Sequence, residues 1–147
     1  MPRDSPGTCQ IWHAAPGAEA RVKDAEQLFD HTVDAEATRR FLADEANHLL
    51  IAYVDGEAAG FASGTELTHP DDARPELFLN ELAVDEAYRG RGVGRALVAE
   101  LWELAQQRGC RGMWVLTDED NAAANKVYAA AAGVPAGTSV MYQWGET

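Results

Sequence analysis

Apolar residues run without a break from Leu49 to Val54 and stop at Asp55-Gly56. A short continuous apolar run that ends in Asp-Gly predicts a strand, 48–54, entering a tight hairpin. The chain returns over 57–67, where Gly60 and Gly64 mark weak points or bulges. A polar stretch with two prolines, 68–75, predicts a loop, and 76–84 predicts another strand. The period then changes. Val93, Leu97, Leu101 and Leu104 fall on one face of a helix over 93–107, which Gly109 stops. Upstream, 10–14 predicts a first strand. Val22, Ala25, Leu28 and Phe29 predict a short amphipathic helix over 18–30. Asp34 is placed to cap a second helix, to about residue 45, that buries Phe41 and Leu42. Downstream follow a strand over 112–117, an acidic loop over 117–120, a helix over 121–132 and a closing strand over 138–144. This order predicts an α+β fold, with no internal repeat and no linker.

The chain has 147 residues, enough for one domain and too few for two of ordinary size, so a single domain over 1–147 is expected. No run approaches 18 apolar residues, so no membrane helix is expected. The N-terminal residues lack the apolar centre of a signal peptide. Cys9 and Cys110 stand alone, which suits a reducing cytoplasm. His13, His31, His48 and His69 have no metal-ligand spacing, and no metal is expected. The net charge of −12 argues against nucleic acid and anionic membranes as partners and permits a cationic one. Solubility alone would also account for it.

The segment Arg89-Gly90-Arg91-Gly92-Val93-Gly94-Arg95 lies between a strand and a helix. A helix N-terminus offers unpaired backbone N–H groups and partial positive charge. Glycines let a phosphate approach, and arginines add forked donors. A phosphate-bearing ligand is therefore expected. Gly-x-x-x-x-Gly-Lys-Ser/Thr is absent. A dinucleotide fingerprint starting at Gly90 fails because residue 95 is arginine.

The same segment fits Gln/Arg-x-x-Gly-x-Gly/Ala and resembles the acetyl-coenzyme A loop of the GNAT superfamily of N-acetyltransferases. A second match is Asn121-Ala-Ala-Ala124-Asn-Lys-Val127-Tyr128, followed by Gly133. The resemblance covers about 77–144 well and the first half in outline. The family's glycine usually falls where Ala132 stands here, and a phenylalanine usually follows it where this chain has Val134-Pro135. The resemblance implies the GNAT fold: a mixed, mostly antiparallel sheet of about six to seven strands flanked by about four helices. It implies acetyl-coenzyme A held by Leu82, Ala83, Val84, Arg89, Gly90, Arg91, Gly92, Val93, Gly94, Arg95 and Asn121. Asn121 is equally suited to capping its helix.

Acylation needs a neutral amine, a polarised thioester carbonyl and a proton for the leaving thiolate. Glu81 is the candidate base, since a glutamate in an otherwise apolar strand needs a reason. Its alternative is a solvent-facing strand end. The resemblance implies that Tyr128 lies near the sulfur, as the candidate general acid. Its alternative is core packing, since Ala124, Val127, Tyr128 and Ala131 share one stripe. Asp118, Glu119 and Asp120 are candidates to hold a cationic acceptor, against the plain alternative of a solvated charge run. Tyr142 and Trp144 are expected in the core, with the acceptor pocket as their alternative.

The segments Leu28-Phe29-Asp30, Asn80-Glu81-Leu82-Ala83-Val84, Asp118-Glu119-Asp120 and Val140-Met141-Tyr142-Gln143-Trp144 resemble the aminoglycoside 3-N-acetyltransferases of GNAT type. This implies acetylation of the 3-amino group of an aminoglycoside antibiotic by a cytoplasmic resistance enzyme. Another amine acceptor (a polyamine, an amino acid or a protein N-terminus) and a silent acyl-coenzyme A module remain alternatives, and a homodimer is left open.

Overall fold

The structure is a computed structural model and describes residues 9–146. Five strands form one sheet in the order β1 (Cys9–His13), β2 (Asn47–Val54), β3 (Glu57–His69), β4 (Asp72–Val84) and β5 (Gly112–Trp114). The first four are antiparallel neighbours, and β5 runs parallel to β4. Two helices, α1 (Glu19–Asp24) and α2 (Ala35–Ala43), connect β1 to β2. Helix α3 (Val93–Gln107) is the crossover that the parallel β4–β5 pair requires. Helix α4 (Ala122–Ala130) follows β5.

The sheet buries both faces. On one side Leu50, Ala52, Leu77 and Leu79 pack under Val93, Leu97 and Leu101 of α3. On the other, Leu49, Ile51 and Phe61 meet Val22, Leu28 and Leu42. The Phe29 and Phe61 rings stack at 4.2 Å. Both faces being covered explains why β2 reads as an unbroken apolar run.

Several local expectations hold. Asp34 Oδ1 accepts from Ala37 N at 2.8 Å and caps α2. The 18–30 helix is shorter: it breaks at the fully buried Ala25 into a 3-10 turn, Glu26–Leu28, that delivers Leu28 and Phe29 to the core. Helix α2 ends at Ala43, because Asp44 Oδ1 accepts from Ala46 N at 2.9 Å and turns the chain. The loop expected over 68–75 is largely paired, with His69 opposite Asp72. Glu76 stabilises that end: its Oε2 lies 2.6 Å from His69 Nε2 and accepts from Arg111 Nη2 at 2.9 Å.

Among the described residues the sheet has five strands rather than six to seven. Strand β5 stops at Trp114 instead of 117. The closing strand expected over 138–144 does not form; Val140, Met141, Tyr142 and Trp144 stand 74–87% exposed. Among the described residues no strand pairs with them, and strand propensity without a ladder does not make a strand.

Candidate active site

Strand β4 contains the feature that positions the site. Ser63 pairs with Glu81, but Gly64 pairs with Leu79, so Asn80 is an extra residue in β4. An inserted residue resets the alternation of side chains. Leu77 and Leu79 face α3; beyond the bulge, Leu82 and Val84 also face α3. Ala83 turns to the α1/α2 side, among Phe61 and Leu28. Glu81 shares the Ala83 side and meets Ser63 there. With Asn80 paired in an unbroken ladder it would point where Leu79 points, into the α3 core.

Ser63 is 3% exposed, and its Oγ donates to Glu81 Oε1 at 3.3 Å. Sequence reading did not single it out. The available signal was a hydroxyl inside the apolar run Ala58–Gly64. A buried hydroxyl requires a partner, and this one finds Glu81.

The last β4–β5 pair is Phe78 with Trp114, two residues before the bulge. Bulges bend a strand and sharpen its twist, and beyond this one β4 runs on to Val84 with no β5 partner. Leu82, Ala83 and Val84 lie on this stretch, which β5 leaves unpaired.

The glycine-arginine loop follows. Asp85 Oδ1 accepts from Ala87 N at 2.9 Å, starting a single 3-10 turn, Glu86–Tyr88. Arg89 Nε donates to Val84 O at 3.2 Å, tying the loop to the end of β4. The Arg91 guanidinium lies 5.4 Å from the Tyr88 ring centroid, close enough for a cation–π contact. Gly92, at φ 82°, is the N-cap of α3, and no side chain caps that helix. The first-turn N–H groups thus point into the loop with Arg89, Arg91 and Arg95 exposed around them. Gly94 serves another purpose. A Cβ there would lie 3.3 Å from Val127 and 3.5 Å from Val84, so its absence lets α4 close on α3 and β4. This cradle has the donors, positive charge and open approach that a pyrophosphate needs.

Tyr128 is half-buried beside the α3 core with Val127 and Ala131. Burial raises its phenol pKa above the ordinary 10.0, so the hydroxyl stays protonated at neutral pH. Asn121 caps α4, its Oδ1 accepting from Ala124 N at 3.1 Å. The helix end resolves the sequence irregularity after Tyr128. Ala132 takes the left-handed conformation, φ 72°. Gly133 N donates to Tyr128 O at 2.8 Å and Ala132 N to Ala129 O at 3.0 Å. This is a Schellman ending with alanine where glycine is usual.

Asp118, Glu119 and Asp120 are exposed and line an open hollow of about 490 Å³. Asn125 Nδ2 donates to the backbone oxygens of Asp118 and Asn121, fixing the loop to α4. Tyr142 and Trp144, expected in the core, are exposed, and among the described residues their segment joins no strand of the sheet. Three histidines lie against glutamates: His13 with Glu100, His48 with Glu66 and His69 with Glu76. Among the described residues, no group of three or more His, Cys, Asp or Glu is arranged to hold a metal. No helix of the described residues is long and apolar enough to cross a membrane.

Comparison with known proteins gives the family and the fold. An aminoglycoside N(6')-acetyltransferase type 1 of Salmonella typhimurium is 29% identical over 126 residues, covering 82% of this chain and 76% of the relative. The N-alpha-acetyltransferase RimI of Mycobacterium tuberculosis is 36% identical over 100 residues, covering 67% of this chain and 61% of the relative. The structure of aminoglycoside N-acetyltransferase AAC(6')-Iy in complex with CoA superposes with a TM-score of 0.75 at 25% identity, covering 98% of both chains. An aminoglycoside acetyltransferase from an uncultured soil metagenomic sample reaches a TM-score of 0.85 at 16% identity over 95% of this chain and 97% of the other, a likeness of fold. The profile of the acetyltransferase (GNAT) family matches residues 12–134. The chain belongs to that family, whose members use acetyl-coenzyme A as acyl donor.

Proposed function

We propose that this protein acetylates a primary amine of an aminoglycoside, with Glu81 as the base and Tyr128 as the acid. The bulge at Asn80 carries the reading, since it turns a carboxylate out of the α3 core, on the stretch of β4 that β5 leaves unpaired. Glu81 takes a proton from the acceptor ammonium, directly or through water. The free amine attacks the thioester carbonyl, a C–N bond forms and the C–S bond breaks. The protonated Tyr128 hydroxyl gives its proton to the leaving thiolate, and the second proton, shed by the nitrogen as the amide forms, returns to the phenolate. The loop 89–95 and the α3 N-terminus hold the pyrophosphate, and Leu82–Val84 line the acyl arm.

The acidic surface suits a polycation. Two relatives with matching length are named for the 6′ position, so the 6′-amino group replaces the 3-amino group as the favoured target. A second reading, acetylation of a protein N-terminus, is favoured by the 36% identity to the RimI enzyme.

The deciding experiment offers acetyl-coenzyme A with aminoglycosides carrying a 6′-amine or a 6′-hydroxyl, and with peptides, and follows product mass. Acetylation only of the 6′-amines is expected. Acetylation of 6′-hydroxyl compounds would return the assignment to another amine, the 3-amino group included. Turnover of peptides alone would remove the aminoglycoside reading, and no thiol release with any acceptor would remove the enzyme.

A further inference from the structure

Two aromatic rings stand on the sheet outside both apolar cores. Phe78 of β4 pairs with Trp114 of β5, and the ring centroids lie 4.6 Å apart at 37°. Leu77 and Leu79 face α3, so alternation turns Phe78, and Trp114 with it, to the opposite face. That is the face on which Glu81 meets Ser63. Phe78 is partly buried, yet among the described residues it joins neither core. Trp114 is 38% exposed. Aromatic surface left outside the core, on the side of the candidate base, is surface offered to a ligand.

Distance and charge say which ligand. Phe78 and Glu81 lie opposite Thr65 and Ser63 of β3, which are two residues apart, because Asn80 is the extra residue. Two strand residues span about 7 Å. A hexose lying on the two rings, with one exocyclic carbon carrying its amine, covers that distance. The face of an aromatic ring is electron-rich. It attracts the C–H groups along one face of a sugar and, more strongly, a cation. The charges on either side are unequal. Glu76, two residues before Phe78, is already engaged by His69 and Arg111. Glu81 is held by the neutral Ser63, and among the described residues it forms no ion pair. An ammonium group over the rings is therefore drawn to Glu81 rather than to Glu76. Asp118, Glu119 and Asp120 begin four residues after Trp114 and offer anions to the other amines of a polycation.

We propose that Phe78 and Trp114 form a stacking platform for one amino-sugar ring of the acceptor, and that the platform sets the amine of that ring at Glu81. The setting of the amine rests on the acetyltransferase reading above; the stacking does not. An extended peptide has no continuous C–H face to lay on the rings, so the platform selects a saccharide over a protein N-terminus.

Saturation-transfer NMR with kanamycin A, which carries a 6′-amine, reads the stacking without turnover. In the wild-type protein the ring bearing that amine is expected to take the strongest saturation. The signal should fade in Trp114→Leu and persist in Trp114→Phe. In turnover, Trp114→Leu should raise the KM for kanamycin A about ten-fold and leave the KM for putrescine, which has no ring, unchanged. Trp114→Phe should restore most of the loss. A cross-strand pair that only steadied the sheet would lower the melting temperature and act on both acceptors alike. That result, or saturation spread evenly over all rings of the wild-type ligand, would overturn the platform. Should the leucine variant not fold, the wild-type spectrum decides alone. Kanamycin that stacks as expected but is never acetylated would remove the proposed reaction and keep the platform; acetylation with no ring preferentially saturated would do the reverse.

Discussion

Ser63 Oγ donates to Glu81 Oε1 at 3.3 Å across the first regular pair after the β4 bulge. A hydroxyl that is 3% exposed thereby fixes the carboxylate of a residue that solvent can reach. Glu81→Gln is expected to lower kcat by about 10²–10⁴, the usual contribution of a positioned base. Thermal stabilisation by acetyl-coenzyme A should persist. Ser63→Ala should cost less, about the 0.5–1.5 kcal/mol of one hydrogen bond, read as a several-fold fall in kcat with an unchanged cofactor shift. Full activity in Glu81→Gln would remove the base.

Tyr128→Phe keeps the ring that packs on α3 and removes the hydroxyl. Melting temperature should hardly move while kcat falls. Because burial raises the phenol pKa above 10.0, the acid form persists through neutral pH and is lost only on the alkaline side of that value. The wild-type profile should therefore show an alkaline limb that the Phe variant lacks.

Gly94→Val should lose stability and cofactor binding together, since the added carbon meets Val127 at 3.3 Å and Val84 at 3.5 Å. Gly92→Ala faces open space but holds φ 82°, so strain of about 1–2 kcal/mol is expected from the left-handed backbone. Thermal melts with and without acetyl-coenzyme A separate the two: a normal melting temperature in Gly94→Val would contradict the packing account.

Ala132→Gly should stabilise the protein by about 0.5–1 kcal/mol. The gain is relief of a left-handed alanine at φ 72°, partly offset by the greater freedom of glycine in the unfolded chain. Urea unfolding reads it directly. The neighbouring glycine is not exchangeable in the same way, because a Cβ at Gly133 would lie 2.9 Å from Tyr128 O.

If Asp118 and Asp120 hold the acceptor's ammonium groups, its KM should rise with salt as the screening length shortens to about 8 Å at physiological strength. Asp118→Asn and Asp120→Asn should reproduce that rise at low salt, with the KM for acetyl-coenzyme A unchanged. A salt-independent acceptor KM would leave the acidic loop a solvated surface.

The helices over 35–43 and 93–107, the hairpin at Asp55-Gly56 and the anion loop were legible because each depends on local chemistry: an Asp cap, an apolar stripe, glycines at a helix start. Ser63 was not legible, since its role exists only through a partner 18 residues away. The facing of Glu81 was half legible. Alternation placed it opposite Asn80, but the side of the sheet depended on a register shift that no single strand records. The segment over 138–144 has the right residue types, but among the described residues it pairs with no strand, and residue types alone do not make a ladder.

The single extra residue in β4 has a consequence for how this chain tolerates change. Asn80 is exposed, so its side chain is nearly free to vary. Deleting it would make Leu79 and Glu81 neighbours in plain alternation, so Glu81, Leu82 and Val84 would keep their faces and the strand would lose only its local bend. Pairing Asn80 with Ser63 in an unbroken ladder would instead turn Glu81 into the α3 core and Leu82 and Val84 to the opposite layer. The strand thus behaves like a text with one silent letter: dropping the letter leaves the words legible, whereas reading it aloud garbles everything after it.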